Sequence, residues 1–182
     1  TTSHSATHYE YKMEGGYLVY DYIETTSSSS GEDLYGGSWT SGGYTIKQQY
    51  SYDAGKTWTD VSGNTHTGAY TFVFIITGKD ADGAEKVITV DPFDTYDMTW
   101  TQALDEKFDF YTSGSGRDIF DNKNTTSTKL TMTVFHGKLI TVGSESATVS
   151  TDILGNSTTS HSATHYEYKM EGGYLVYDYI ET

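Results

Sequence analysis

Cysteine is absent, proline occurs once, bases are scarce and no long apolar run is present. The first absence removes disulfides, a thiol nucleophile and thiolate metal sites, without excluding an extracellular location. With Pro92 alone, nearly every backbone N–H is free to donate to a sheet ladder. Eleven Lys and Arg stand against 25 Asp and Glu, a formal net charge of −14. Such a surface repels phosphate backbones and anionic lipid, which argues against nucleic-acid binding and membrane insertion. It suits divalent cations or salty surroundings, although keeping a sheet-rich chain soluble is reason enough for it. No stretch reaches the ~20 apolar residues of a membrane-crossing helix, and no leader segment is evident. The expected setting is that of a mature or internal part of a secreted protein.

What is abundant points to sheets. Seventeen Tyr, seven Phe and many Thr favour strands, and nineteen Gly favour tight turns between them. The strongest feature is a repeat: residues 1–25, TTSHSATHYEYKMEGGYLVYDYIET, recur letter for letter as residues 158–182. Function alone does not hold every solvent-facing position of two copies identical. The match indicates either recently homogenised tandem repeats or a deliberate duplication. A window slightly longer than one period of a repeating chain has this form, as does a grafted donor hairpin. The preceding Ile153-Leu154-Gly155-Asn156-Ser157 does not look like a synthetic linker. Residues 1–157 are therefore expected to form one domain, and residues 158–182 to be the start of the next repeat or a grafted hairpin.

Within the repeat, His8 to Met13 alternates, with Tyr9, Tyr11 and Met13 on one face. Gly15-Gly16 supplies a turn. Tyr17 to Ile23 follows, with Leu18, Tyr20 and Tyr22 on one side and Tyr17, Val19 and Ile23 on the other, and is expected to be covered on both. The second copy offers Tyr166, Tyr168 and Met170, then Tyr174, Val176, Tyr177, Tyr179 and Ile180. An isolated hairpin is marginal in water. One domain is expected to have room for one such hairpin, so that one copy, or one strand of each, pairs with another domain or another molecule.

Residues 26–43 read as a polar surface loop anchored by Leu34, Tyr35 and Trp39. Tyr44 to Tyr50 reads as a strand, with Trp58 to Val61 as its partner. Ala69 to Thr77 is the most apolar run and reads as a central strand, with Glu85 to Val90 next to it. Residues 101–108 suit one or two helical turns. Residues 112–128 read as another loop. Leu130 to Val134 and Leu139 to Val142 form a hairpin about His136-Gly137, and Ala147 to Leu154 is the last strand before the repeat. Nine or ten strands argue for an all-β, antiparallel β-sandwich of immunoglobulin-like architecture, with a barrel as the alternative.

Ser51-Tyr52-Asp53-Ala54-Gly55-Lys56-Thr57-Trp58 matches S-x-D-x-G-x-T-W and resembles the Asp-box hairpin of sialidases and other secreted β proteins. The resemblance spans eight residues and implies a turn, not an activity. Asp53 would accept hydrogen bonds from turn amides, Gly55 would take a positive φ, and Trp58 would pack back over the turn between Ser51 and Thr57. At the scale of the chain, the expected architecture is similar to repeat units of bacterial surface adhesins and to filament subunits held by donated strands. That likeness implies an extracellular or cell-surface structural protein, not an enzyme, whose partners are copies of itself and whose Tyr-rich hairpins are the strand-exchange interface. A carbohydrate-binding module is the alternative, resting on the Asp-box turn and on Trp39, Trp58 and Trp100 as stacking platforms.

No nucleophile context such as G-x-S-x-G is present, and no catalytic residue is assigned. Asp91, Asp94 and Asp97 offer hard oxygen ligands to Ca²⁺, the one cofactor the pattern suggests, against the plainer reading of solvated turn acids. His4 and His8 share a strand face but lie about 13 Å apart, too far for one ion. Asn124 and Asn156 open glycosylation sequons, which matter only in a host that reads them.

Overall fold

The computed structural model describes residues 2–32, 36–59 and 63–182, most of them in antiparallel strands. In chain order these are β1 (Thr2–Glu14), β2 (Tyr17–Glu32), β3 (Ser38–Ser41), β4 (Thr45–Thr59), β5 (Thr65–Lys79) and β6 (Glu85–Val90). After a one-turn 3-10 helix (Pro92–Thr95) and helix α1 (Trp100–Asp105) come β7 (Phe108–Arg117), β8 (Lys123–Phe135), β9 (Lys138–Thr151), β10 (Ser157–Glu171) and β11 (Tyr174–Glu181). The fold is all-β, antiparallel and sandwich-like, as the composition implies, with eleven strands in place of nine or ten.

Every strand belongs to one ladder, β11-β10-β9-β8-β7-β3-β2-β4-β5-β6, with β1 added on β2. The ladder becomes two layers because β3 and β4 act as one bent strand along β2. β2 pairs β4 through Tyr22–Thr26 and β3 through Ser29–Glu32. On their other side β3 meets β7, whereas β4 meets β5. The bend between them is tight. The Gly42 N–H donates to the Ser113 carbonyl at 2.8 Å, and a Cβ at Gly43 would fall onto the Ser27 carbonyl. Folding over at this bend brings Phe74 and Ile76 of β5 against Phe110 of β7 and Val134 of β8. Tyr44, Ile46, Phe72, Ile88, Val90, Phe108 and Leu139 surround them. Helix α1 covers the opposite face of β8. Thr99 and Gln102 form its capping box, Ala103 is fully buried with its carbonyl accepting from Thr133, and Trp100 sets its edge on Phe135 at 5.4 Å.

Several segments expected as loops are strands. Residues 26–32 extend β2, Ser38–Ser41 is β3, and residues 112–128 are the paired ends of β7 and β8 about one turn. Ala147 begins no new strand, because β9 runs unbroken from Lys138 to Thr151. Hydroxyl pairs zip these polar stretches across the sheet: Thr126 with Thr148 at 2.9 Å, Thr128 with Ser146 at 2.8 Å, and Ser51 with Thr71 at 3.0 Å. The expected anchors Leu34 and Tyr35, and Val61, lie outside the described residues; Trp39 lies over Gly31.

Two adjacent turns are built alike. Asp118 Oδ1 accepts from the N–H groups of Phe120 and Asn122, and Asp152 Oδ1 accepts from those of Leu154 and Asn156. In each, the Asn side chain donates to the other carboxylate oxygen at 2.8 Å. Asp80 makes the same pair of backbone contacts, to Asp82 and Ala84, in the β5–β6 turn.

Candidate functional site: two identical hairpins on opposite edges

The repeated 25 residues fold into the same object twice. His8 to Met13 and Tyr17 to Ile23 pair about Gly15-Gly16, whose φ angles of 56° and 85° suit a turn that only glycine adopts easily; Gly172 and Gly173 repeat it at 59° and 83°. Both copies carry a bulge at one place. Glu10 faces Tyr22 but Tyr11 faces Tyr20, leaving Asp21 as the extra residue; Glu167, Tyr168 and Asp178 repeat this. The bulged carboxylate pairs with a lysine in each, Lys12 to Asp21 at 3.2 Å and Lys169 to Asp178 at 3.0 Å. Tyr11 stacks on Tyr20 at 4.8 Å, and Tyr168 on Tyr177 at 4.7 Å. His8 meets Glu10 at 3.0 Å and His165 meets Glu167 at 2.9 Å.

What differs is the edge by which each copy joins the body. The first copy docks by its second strand: β2 pairs β4 and β3, while β1 pairs only β2. Its side chains follow. Gln49 Nε2 donates to the Asp21 carbonyl at 2.9 Å, Lys47 Nζ sits 3.9 Å over the Tyr22 ring, and Tyr20 lies 5.8 Å from Tyr50. Lys12 Nζ also reaches the Tyr50 carbonyl at 3.5 Å. The second copy docks by its first strand. Residues Ser157 to His165 of β10 pair with Thr151 to Gly143 of β9, while β11 pairs only β10. Here the Tyr168 hydroxyl donates to the Thr141 carbonyl at 2.7 Å and its ring meets Trp100 edge-on at 5.4 Å. Burial, followed by the Tyr177 hydroxyl beside it, pushes the Tyr168 phenol well above its ordinary pKa.

One body therefore holds both hairpins, not one as expected, because the first joins in mid-ladder beside β3 and β4 and the second joins at the β9 end, through opposite edges of the hairpin. The aromatic set is partly engaged. Tyr168, Tyr20 and Tyr22 reach the body, whereas Met13, Tyr17 and Tyr174 are mostly exposed, at 68%, 76% and 76%. The expectation that Tyr17 to Ile23 is covered on both faces does not hold at its start, where Tyr17 and Leu18 face solvent. Val19 and Ile23 are half-buried, while Ile180 is 57% exposed. Among the described residues, the outer edges of β1 and β11 pair with nothing. Trp100, Thr141, Tyr50, Lys47 and Gln49 complete the two docking surfaces. No local pattern marks them, because long-range pairing alone brings them there.

The other sequence candidates come out differently. Residues 51–58 do not turn the chain but stay within β4. Asp53 faces Ala69 and Thr57 faces Thr67, so residues 54–56 bulge opposite Gly68. Asp53 Oδ1 does accept from the Gly55 N–H at 2.9 Å, but the positive φ falls on Gly68 at 84° and not on Gly55. The Trp58 side chain lies outside the described residues. Asp91 Oδ1 caps the 3-10 helix by accepting from Phe93 N–H at 2.9 Å, and Asp94 and Asp97 are exposed. Among the described residues no three His, Asp or Glu side chains gather to hold a metal. A cleft of about 660 Å³ lies between α1 and β10 and includes Trp100, Lys129, Glu145 and His165. Its Lys129 is tied to Asp109 at 3.5 Å and to Glu145 at 3.6 Å. Trp100 meets both Phe135 and Tyr168 edge-on, each at 5.4 Å, so it contributes to the packing between α1, β8 and β10.

Comparison with known proteins finds no family model, curated protein or solved structure that matches this chain.

Proposed function

We propose that the chain is an extracellular structural unit, a subunit or repeat of a surface fibre, filament or adhesin, that joins its neighbours by sharing β-strands. The observation that carries this reading is the pair of identical hairpins, each docked by one edge and open along the other. An open edge presents a row of unpaired N–H and C=O groups, which natural sheets normally cover or keep short. Here the open strands β1 and β11 span 13 and 8 residues, while the third single-partnered strand, β6, spans six. Backbone pairing supplies affinity in strand addition, and alternate side chains set register. No cofactor or catalytic group is needed for this role.

Removing residues 158–182 tests the reading, because it strips β9 of its outer partner, β10, and leaves it paired only with β8. The shortened chain should form concentration-dependent oligomers by light scattering after size exclusion, while the full chain stays monomeric. A shortened chain that is monomeric at tens of micromolar, with an unchanged melting temperature, would refute strand sharing.

A further inference from the structure

The two docking modes use different parts of one sequence. In the first copy the body takes hold of Tyr22–Thr26, with Lys12, Tyr20 and Asp21 in support. In the second it takes hold of residues 158–165, the counterparts of residues 1–8, together with Tyr168, the counterpart of Tyr11. Among the described contacts no position is used twice. The internal geometry of the hairpin is also the same in both, from the bulge at Asp21 and Asp178 to the stacked tyrosines. Engaging one edge therefore leaves the other in a binding-ready shape.

We propose that one copy of the hairpin serves two units at once. The outer edge of its first strand takes β9 of one unit, while its second strand stays paired to β4 and β3 of the next. Consecutive units then form one uninterrupted sheet. The inference rests on the strand-sharing reading and gives it a partner strand and a register. Carrying the β10–β9 pairing back onto the first copy sets Thr2 opposite Val149 and His8 opposite Gly143 of the neighbouring unit. Carrying the β2–β4 pairing onto the second copy sets Tyr179 opposite Gln49, and Glu181 opposite Lys47. The rings would join as well. Phe135–Trp100–Tyr168–Tyr177 at one end and Tyr11–Tyr20–Tyr50–Phe72 at the other overlap at the hairpin pair, giving one aromatic row across the junction. The occupant of the open β1 edge is thus β9 of a second copy of this unit, on the same polypeptide or on another.

The full chain carries the test. Its own β10 already covers β9, so assembly between molecules needs that cover loosened. Ser162→Pro with Ala163→Pro does this, since adjacent residues point their N–H groups to opposite edges and one of the two must face β9. The first copy is untouched. Adding Ser5→Cys and Ser146→Cys places thiols at positions that face each other in the proposed register, by analogy with Ser162 opposite Ser146. Direct cross-strand partners lie within disulfide reach, and the parent chain has no cysteine to compete. Mild oxidation should give a ladder of disulfide-linked oligomers. The same cysteines without the prolines should give monomer, and Ser5→Cys with Ala147→Cys, one residue out of register, should link at least tenfold less. Should the proline variant fail to fold, the chain ending at residue 157 takes its place. Oligomers that form without preferring the 5–146 link would overturn this register while leaving strand sharing intact. A folded chain with β9 uncovered that stays monomeric would overturn both. If the linked species form only between separate chains and never in a two-unit polypeptide, the neighbour is another molecule and not an adjacent repeat.

Discussion

Substituting Tyr168 and Tyr11 one at a time makes an experiment with its own control. The two residues sit in identical sequences, share the same local propensities and stack on equivalent tyrosines at 4.7 and 4.8 Å. Only their surroundings differ. Tyr168 donates to the Thr141 carbonyl and meets Trp100, whereas Tyr11 is 48% exposed. A hydrogen bond of this kind contributes about 1 kcal/mol. An edge-on ring pair adds about 0.5–1.5 kcal/mol, and the lost ring burial adds about 1 kcal/mol more. Tyr168→Phe should therefore cost about 1 kcal/mol, and Tyr168→Ala about 2.5–3.5 kcal/mol. For a chain of this size each kcal/mol lowers Tm by about 2–4 °C, so Tyr168→Ala should melt about 5–14 °C below the parent. The same changes at Tyr11 should have much smaller effects. Urea unfolding and hydrogen exchange along β9 report the difference, the latter also catching local release of the hairpin. Equal losses at the two positions would refute the docking of the second copy through Thr141 and Trp100. A pH corollary follows from the raised phenol pKa. The neutral form is favoured in the folded chain, so this contribution is full below the ordinary tyrosine value of 10.0 and is lost as pH rises beyond it.

Phe110→Ala removes a fully buried ring from between the layers and should cost about 3–5 kcal/mol in urea unfolding; a cost under about 1 kcal/mol would mean the layers do not pack there. Gly43→Ala puts a methyl on the Ser27 carbonyl, backbone that cannot rotate away, and should cost about 1–3 kcal/mol or more in the same assay although its φ is ordinary. The Asn122 side chain holds Asp118 below its ordinary pKa and Asn156 does so for Asp152, each helped by turn amides. Both depressed values stabilise the turns above the unfolded carboxylate pKa of about 3.9, and this is lost as pH falls through the folded value. Amide protection in the two turns, taken relative to the intrinsic exchange rate at each pH, should fall below about pH 4, and Asp118→Asn should abolish that acid dependence in its own turn.

The hairpin and the fold class are legible in the sequence because apolar and polar residues alternate around Gly15-Gly16 and because β-forming residues dominate throughout. The central strand β5 is legible for the same reason, through Phe72, Phe74 and Ile76. The outer halves of β2, β7 and β8 are not. Their Ser, Thr and Gly carry no hydrophobic period, and what pairs them is a set of hydroxyl contacts such as Thr126 with Thr148, visible only when the strands are side by side. The eight residues at 51–58 contain the makings of a turn, yet the pairing of β4 with β5 on both sides absorbs them as a bulge. The opposite docking of the two hairpins is the least legible feature, since identical sequences give identical expectations and only their neighbours in space distinguish them.

The extra residue at Asp21 and Asp178 carries a consequence for shape. A bulge sharpens the right-handed coiling of the ribbon that contains it. Were units strung through shared hairpins, every junction would add the same rotation in the same sense, and the product would be a wound cable of fixed hand, not a flat ribbon. Its pitch would be set at the joints, where Lys12 and Lys169 hold the kinked carboxylates, and a shorter side chain there would let the cable relax.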